Sequence, residues 1–305
     1  MSSVVRFAPE LGHWIQGNFE RGLAADALVA EMQRQRMPEH AARAIVAAFA
    51  RARASGAPPP VDQVEIDDVP APVAGAPTPV PSTDYVHETP ILAPGTRIAT
   101  SDRVVRVAAR AARPLLAVFN DVLAPDECAQ LIELARPRLK PSTIVDPMTG
   151  RDVVAGTRAS LGMFFRLEET PFIAKLDRRI SELMNLPLEN GEGLQILHYP
   201  QGAGSEPHFD FLVPSNPANA ASIARSGQRV STLVTYLNDV PAGGRTVFPE
   251  AGWAVSPQRG NAVYFEYCNS RGQVDHASLH ASAAVEQGEK WVATKWMRQR
   301  RFVSA

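Results

Sequence analysis

The chain has 305 residues, 31 of them basic and 32 acidic, with a formal net charge of −1 at pH 7. That balance leaves no field to gather nucleic acid or an anionic membrane surface, so neither is an expected partner. Two cysteines, Cys128 and Cys268, are too few for a disulfide framework or a sulfur-rich metal site and suit a reducing compartment.

The N-terminal residues carry no basic-then-apolar leader, and no run of 18 uncharged apolar residues occurs anywhere, so a soluble, cytoplasmic protein is expected. Residues 11–54 carry helical periodicity: Trp14, Ile15 and Phe19 fall on one face, then Leu28 and Met32, then Ile45, Val46 and Phe49 after Pro38. This predicts a small helical module over 1–55. From Gly56 to Pro81 eight of 26 residues are proline, which removes backbone donors, so 56–83 reads as an extended linker. The remainder, 84–305, reads as one domain with its core over about 114–300. Within it Arg97–Val107 alternates, Pro114–Phe119 is apolar, and Pro125–Leu139 and Pro171–Met184 are predicted helices. Beyond Thr157 short apolar runs (Gly193–Tyr199, Val230–Leu237, Ala262–Tyr267, Trp291–Met297) are separated by Gly, Pro and Asn. Such spacing predicts a mainly β sandwich or barrel with flanking helices.

His208-Phe209-Asp210 places an imidazole and a carboxylate at i and i+2, which in extended chain project to the same face. Alone, such a pair is common at surfaces. A second histidine, His280, follows 70 residues beyond Asp210, after a glycine-containing loop. Two neutral imidazoles and one carboxylate make the facial triad that binds non-haem Fe(II) and leaves coordination positions open. His276, beside Asp275, competes with His280 for that role. Ten residues after His280, Lys290 opens an apolar strand, Gly288-Glu289-Lys290-Trp291. A lysine facing a barrel interior requires a counter-charge, and a keto acid reaching from the metal would provide one.

The order of these blocks resembles the prolyl 4-hydroxylase branch of the Fe(II)/2-oxoglutarate dioxygenases. The resemblance runs from about Pro114 to Arg298 through Asn120-Asp121-Val122-Leu123, Arg158-Ala159-Ser160, His208-Phe209-Asp210, Gly243-Gly244-Arg245-Thr246-Val247-Phe248-Pro249, Ser278-Leu279-His280 and Gly288-Glu289-Lys290-Trp291. It implies a double-stranded β-helix, a jelly-roll barrel. It also implies Fe(II), 2-oxoglutarate and O2, with L-ascorbate as reductant, and hydroxylation of an unactivated C–H, a prolyl residue of a protein or peptide first of all. By the same resemblance His208, Asp210 and His280 match the metal ligands. Lys290, Tyr199 and Thr246 match the 2-oxoglutarate pocket, and Arg158, Ser160, Glu192, Arg229 and Trp296 match substrate-binding positions. Two departures stand out: Ser205 replaces a tyrosine three residues before His208, and a long segment, 213–228, separates Asp210 from Arg229.

Other readings remain open at this point. A related dioxygenase acting on a free amino acid or small molecule would make Ser205 less of a puzzle. A metal-binding interaction protein without activity would use the barrel as a scaffold and residues 1–55 to recruit a partner or dimerise. A serine hydrolase lacks its G-x-S-x-G nucleophile turn.

Overall fold

The computed structural model describes residues 4–20, 23–35, 37–65, 85–141, 143–145, 152–154, 160–214 and 217–304. Residues 66–83 of the expected linker, with Asp84, and Arg158 with Ala159, lie outside the described residues. The chain divides into two units, residues 1–84, 145–153 and 212–224, and residues 85–144, 154–211 and 225–305.

The first unit contains helices α1 (Pro9–Glu20), α2 (Ala25–Arg34) and α3 (Glu39–Ser55). Leu11, Ile15 and Phe19 recur every fourth residue on α1 and meet Leu28, Met32, Ile45, Val46 and Phe49 in one core. Leu11 lines that core where the sequence had suggested Trp14, which packs at its margin. Strands β1 (Val4–Arg6) and β2 (Gln63–Glu65) pair antiparallel, Val5 opposite Val64, and both valines join the core. The module therefore reaches Glu65, ten residues into the stretch read as linker. Gln63-Val64-Glu65 alternates polar and apolar residues and contains no proline, so its N–H groups are free to pair.

Along the rest of the chain run β3 (Arg97–Ala99), β4 (Val104–Ala112), β5 (Leu115–Asn120), β6 (Lys140–Pro141), β7 (Thr143–Val145), β8 (Asp152–Val154), β9 (Leu161–Phe165) and β10 (Leu194–Tyr199). They are followed by β11 (Ser205–His208), β12 (Arg229–Tyr236), β13 (Ala242–Gly243), β14 (Thr246–Phe248), β15 (Trp253–Val255), β16 (Ala262–Glu266), β17 (His280–Ser282), β18 (Val285–Gln287) and β19 (Lys290–Arg298). The larger sheet has the order β3-β4-β5-β16-β12-β19-β10-β9-β6 and the smaller one β11-β17-β14-β15. From β10 onward the chain alternates between the two: β10 large, β11 small, β12 large, β14 and β15 small, β16 large, β17 small, β19 large. That interleaving of antiparallel strands is a double-stranded β-helix, as the resemblance implied.

All nine residues of β19 are buried, because both faces of this central strand are covered. Lys290, Val292, Thr294, Trp296 and Arg298 share one face; Trp291, Ala293, Lys295 and Met297 share the other. Lys290 reaches Ser282 of the small sheet, which marks the first face as the barrel interior. Lys295 pairs at 2.8 Å with Asp177 of α5 (Pro171–Met184), which marks the second as the helical side. Thr170 caps α5 by accepting from the Ile173 N–H, Pro171 opens it, and Asn185 ends it with φ 55°. Ile173, Leu176, Ile180 and Leu183 form its buried stripe. The helix α4 (Pro125–Ala135) stops before the predicted Leu139, giving way to a 3-10 turn at Arg136–Arg138, because Pro137 has no N–H to continue the ladder. Arg179 of α5 joins the two helices to the strand side: it donates to both oxygens of Glu127 at 2.6 and 2.7 Å, to Asp102, and to the Val122 carbonyl at 3.0 Å. The long segment after Asp210 contains a helix, α6 (Pro217–Ser226).

Candidate active site

The paired ends of β11 and β17 set His208 directly opposite His280. Their ring centroids are 4.4 Å apart. Asp210 follows two residues after His208 and faces both rings: Oδ1 is 3.9 Å from His208 Nε2 and Oδ2 is 3.6 Å from His280 Nε2. One ligand atom from each of the three lies within 4.8 Å of the others. Each Nδ1 lies against a carbonyl two residues back, Glu206 O at 2.8 Å for His208 and Ser278 O at 3.0 Å for His280. A carbonyl can only accept, so each Nδ1 carries the proton and each Nε2 presents a lone pair to the shared space.

The electrostatics of Asp210 and His280 fit this arrangement. Burial opposes the Asp210 charge, but the His280 and His208 rings, the Arg229 guanidinium and the Thr232 hydroxyl together hold its pKa below the ordinary carboxylate value. Burial drives His280 down to about 4, so the ring is neutral above that pH. A carboxylate and two imidazoles whose ligand atoms converge suit a divalent first-row ion such as Fe(II). His276 is not part of the cluster; its ring meets the faces of Phe209 and Phe211 edge-on, 5.4 and 5.7 Å away.

Thr232 of β12 donates to Asp210 Oδ2 at 2.7 Å and stands 2.9 Å from the Tyr267 hydroxyl. It thereby fixes the carboxylate from the large sheet while the histidines come from the small one. Sequence reasoning passed over Thr232, since nothing in its neighbourhood marks which strand will face the HxD segment.

Lys290 is 2% exposed, and no carboxylate among the described residues pairs with it. Its ammonium donates to Ser282 Oγ at 2.8 Å and lies 5.3 Å from the centre of the Tyr199 ring and 5.8 Å from that of Tyr236. Burial pushes its pKa down to about 7. A desolvated cation held by one hydroxyl and flanked by two aromatic rings is a receptor for an anion, and one end of a dicarboxylate fits it. Thr246 accepts from the Tyr236 hydroxyl at 2.8 Å, and Tyr199, hydrogen-bonded to Ser160, has its hydroxyl pKa raised to about 12 by burial.

The expected substrate-binding residues divide. Arg158 lies outside the described residues. Glu192 and Arg229 form a two-pronged ion pair, 2.7 and 2.8 Å, which Arg298 joins at 3.1 Å. Arg229 also covers the Trp296 ring at 4.0 Å and donates to the Asp210 carbonyl at 3.3 Å. The structure thus brings Glu192, Arg229 and Trp296 together beside the triad, while Ser160 sits with Tyr199 on the Lys290 side.

The pattern of the 2OG-Fe(II) oxygenase superfamily matches residues 194–298, which span the strands just described. Prolyl 4-hydroxylase 1 of Arabidopsis thaliana is 40% identical over 202 residues, covering 61% of this chain and 70% of that protein. Prolyl 4-hydroxylase subunit alpha-1 of Gallus gallus is 37% identical over 188 residues, 62% of this chain but 36% of the subunit. The solved viral collagen prolyl hydroxylase of Paramecium Bursaria Chlorella virus-1, in its 2OG complex, is 24% identical with a TM-score of 0.47, covering 60% of this chain and 94% of that one. The chain belongs to the prolyl 4-hydroxylase family of the Fe(II)- and 2-oxoglutarate-dependent oxygenases. It is a 2-oxoglutarate-dependent dioxygenase whose cofactor set is Fe(II), 2-oxoglutarate and O2.

Proposed function

We propose that this enzyme hydroxylates a prolyl residue of a protein or peptide, with His208, Asp210 and His280 holding Fe(II) and Lys290 holding the distal carboxylate of 2-oxoglutarate. The observation that carries the reading is a buried ammonium with no counter-charge among the described residues, in the same barrel as a His-Asp-His cluster, in a chain 40% identical over 202 residues to a prolyl 4-hydroxylase. When bound, the iron and keto acid supply the oxidising power to insert one oxygen of O2 into a C–H bond, with release of succinate and carbon dioxide. The protein's own residues hold and exclude. Thr232 keeps Asp210 turned to the histidines, and the two Nδ1–H groups keep each Nε2 available. The Tyr199 and Tyr236 rings keep water from Lys290, and Arg229, laid over the Trp296 ring, packs beside Asp210.

A second reading, a free amino acid or small molecule as substrate, is favoured by Ser205, which cannot grip a peptide as a tyrosine would. L-ascorbate is assigned as the reductant on the family's habit. A cytoplasmic location is supported by two free, buried thiols, and residues 1–65 are left for recruiting a partner or for dimerisation. The deciding experiment supplies Fe(II) and 2-oxoglutarate and measures succinate with proline-rich peptides, cell protein extract and free amino acids. Mass spectrometry then locates any added oxygen. Succinate formation stimulated by free amino acids and by none of the peptides or extracts would replace the first reading with the second.

A further inference from the structure

Two serines link the strands of the triad to Lys290, which has no counter-charge among the described residues. Ser205 of β11 lies opposite Ser282 of β17, and the register is irregular between Ser205 and His208. At that irregularity the Ser282 N–H donates to a side chain, the Ser205 hydroxyl oxygen, at 2.8 Å. The close approach depends on Gly204, since a Cβ there would stand 2.6 Å from the Ser282 carbonyl oxygen. Ser282 also lies opposite Thr246 of β14, and its Oγ accepts from Lys290 Nζ at 2.8 Å. The hydroxyl hydrogen of Ser282 has only a long contact, 3.4 Å, with the Ala283 carbonyl. A hydroxyl that accepts from an ammonium and whose own hydrogen is weakly engaged has a donor to offer. Thr246, whose Oγ1 accepts from Tyr236, likewise has a hydrogen to give.

From this we infer that Ser282 is a second anchor for the distal carboxylate of the cosubstrate, donating to the carboxylate that Lys290 neutralises, and that Ser205 is the positioning residue that sets where Ser282 stands. The inference rests on the reading of Lys290 given under the proposed function. It assigns Ser205, the departure from the family pattern, to the cosubstrate side of the barrel. It also explains why a buried lysine is held in place before any anion arrives: Ser282 is its hydrogen-bond partner until the carboxylate takes over.

The test is isothermal titration of the full-length protein loaded with Mn(II), without O2, using 2-oxoglutarate and, separately, oxalate. Oxalate keeps a metal-chelating end and has no distal carboxylate. Ser282→Ala is expected to weaken 2-oxoglutarate roughly 10-fold, the usual effect of losing a hydrogen bond to a charged group, and to leave oxalate within about 2-fold. Ser282→Gly repeats the loss without a methyl group, and Ser282→Thr restores most of it. Ser205→Ala gives a smaller loss, roughly 3-fold, with the same selectivity, since it removes only a neutral hydrogen bond. Unchanged 2-oxoglutarate affinity in Ser282→Ala and Ser282→Gly overturns the inference, as does an equal loss for both ligands, which would make Ser282 a strut. If Lys290→Ala leaves 2-oxoglutarate affinity unchanged, the reading of Lys290 fails first, so the two failures are told apart.

Discussion

Replacing Lys290 by methionine separates two consequences of the same buried charge, because stability and cosubstrate binding should move in opposite directions. Burial lowers the lysine from 10.5 to about 7. That fall corresponds to about 5 kcal/mol of preference for the uncharged amine in the folded protein. An unfolded lysine keeps the higher value, so between pH 7 and 10.5 unfolding takes up a proton. The folded state is therefore penalised in full below pH 7, and the penalty fades as the pH rises to 10.5. Lys290→Met removes it and loses the hydrogen bond to Ser282, worth about 1 kcal/mol. Without cosubstrate, the variant should be the more stable protein by up to about 4 kcal/mol below pH 7, a melting shift on the order of 10 °C for a unit of this size, and should lose that advantage above pH 10. Binding goes the other way. With no ammonium to meet the distal carboxylate, the dissociation constant for 2-oxoglutarate should rise at least ~10-fold, since a desolvated charge left without its partner costs ~2–5 kcal/mol. Lys290→Arg should recover part of the affinity, because the charge is kept and the point contact is not. Calorimetric melting of the Mn(II)-loaded protein at pH 6.5 and 9.5, with and without 2-oxoglutarate, reads both effects. A variant that melts lower at pH 6.5 while keeping the cosubstrate-induced stabilisation would refute the reasoning and turn attention to another basic residue.

His208→Ala, Asp210→Ala and His280→Ala should each abolish turnover and weaken Mn(II) binding while circular dichroism remains that of a folded protein; near wild-type activity in His280→Ala would break the triad. Arg179→Met should cost up to about 3–5 kcal/mol in denaturant unfolding, since it removes the buried partner of Glu127 and Asp102 and leaves them the half-exposed Lys175. Burial opposes the Glu127 charge, but Arg179, Lys175 and the Ala124 N–H outweigh it and bring the pKa from 4.5 down to about 2. Its contribution is thus present above pH 4.5 and lost as the pH falls toward 2, so the Arg179→Met deficit should shrink over that range. A chain beginning at Thr83 should still bind Mn(II) and 2-oxoglutarate in titration calorimetry, because His208, Asp210, His280, Lys290, Tyr199 and Thr246 all belong to the second unit. A folded truncated protein that binds neither would show that the N-terminal residues complete the site.

Much of this protein was legible in the order of its residues. Helical periodicity placed α1 to α3, and short apolar runs between turn residues placed β10, β12, β16 and β19 to within a residue or two. The i, i+2 rule put His208 and Asp210 on one face. Applied again from His280, it reaches Ser282, which was passed over because a serine carries no charge to attract notice. Periodicity reports the face on which a side chain lies and says nothing of what lies opposite. The register of β11 against β17, strands separated by some 70 residues, decided that His280 and not His276 completes the cluster. The same limit hid Thr232 behind Asp210, the Glu192–Arg229 pair, and the strand at Gln63–Glu65 whose partner is at the start of the chain. Lys290 and Lys295 differ by five residues on one strand, so the alternation sends one into the barrel and the other toward the helices. Only the packed structure shows that Lys295 finds Asp177 there, while Lys290 finds the Ser282 hydroxyl and no acid among the described residues; a sequence records each charge, and the distance between charges is set by the fold.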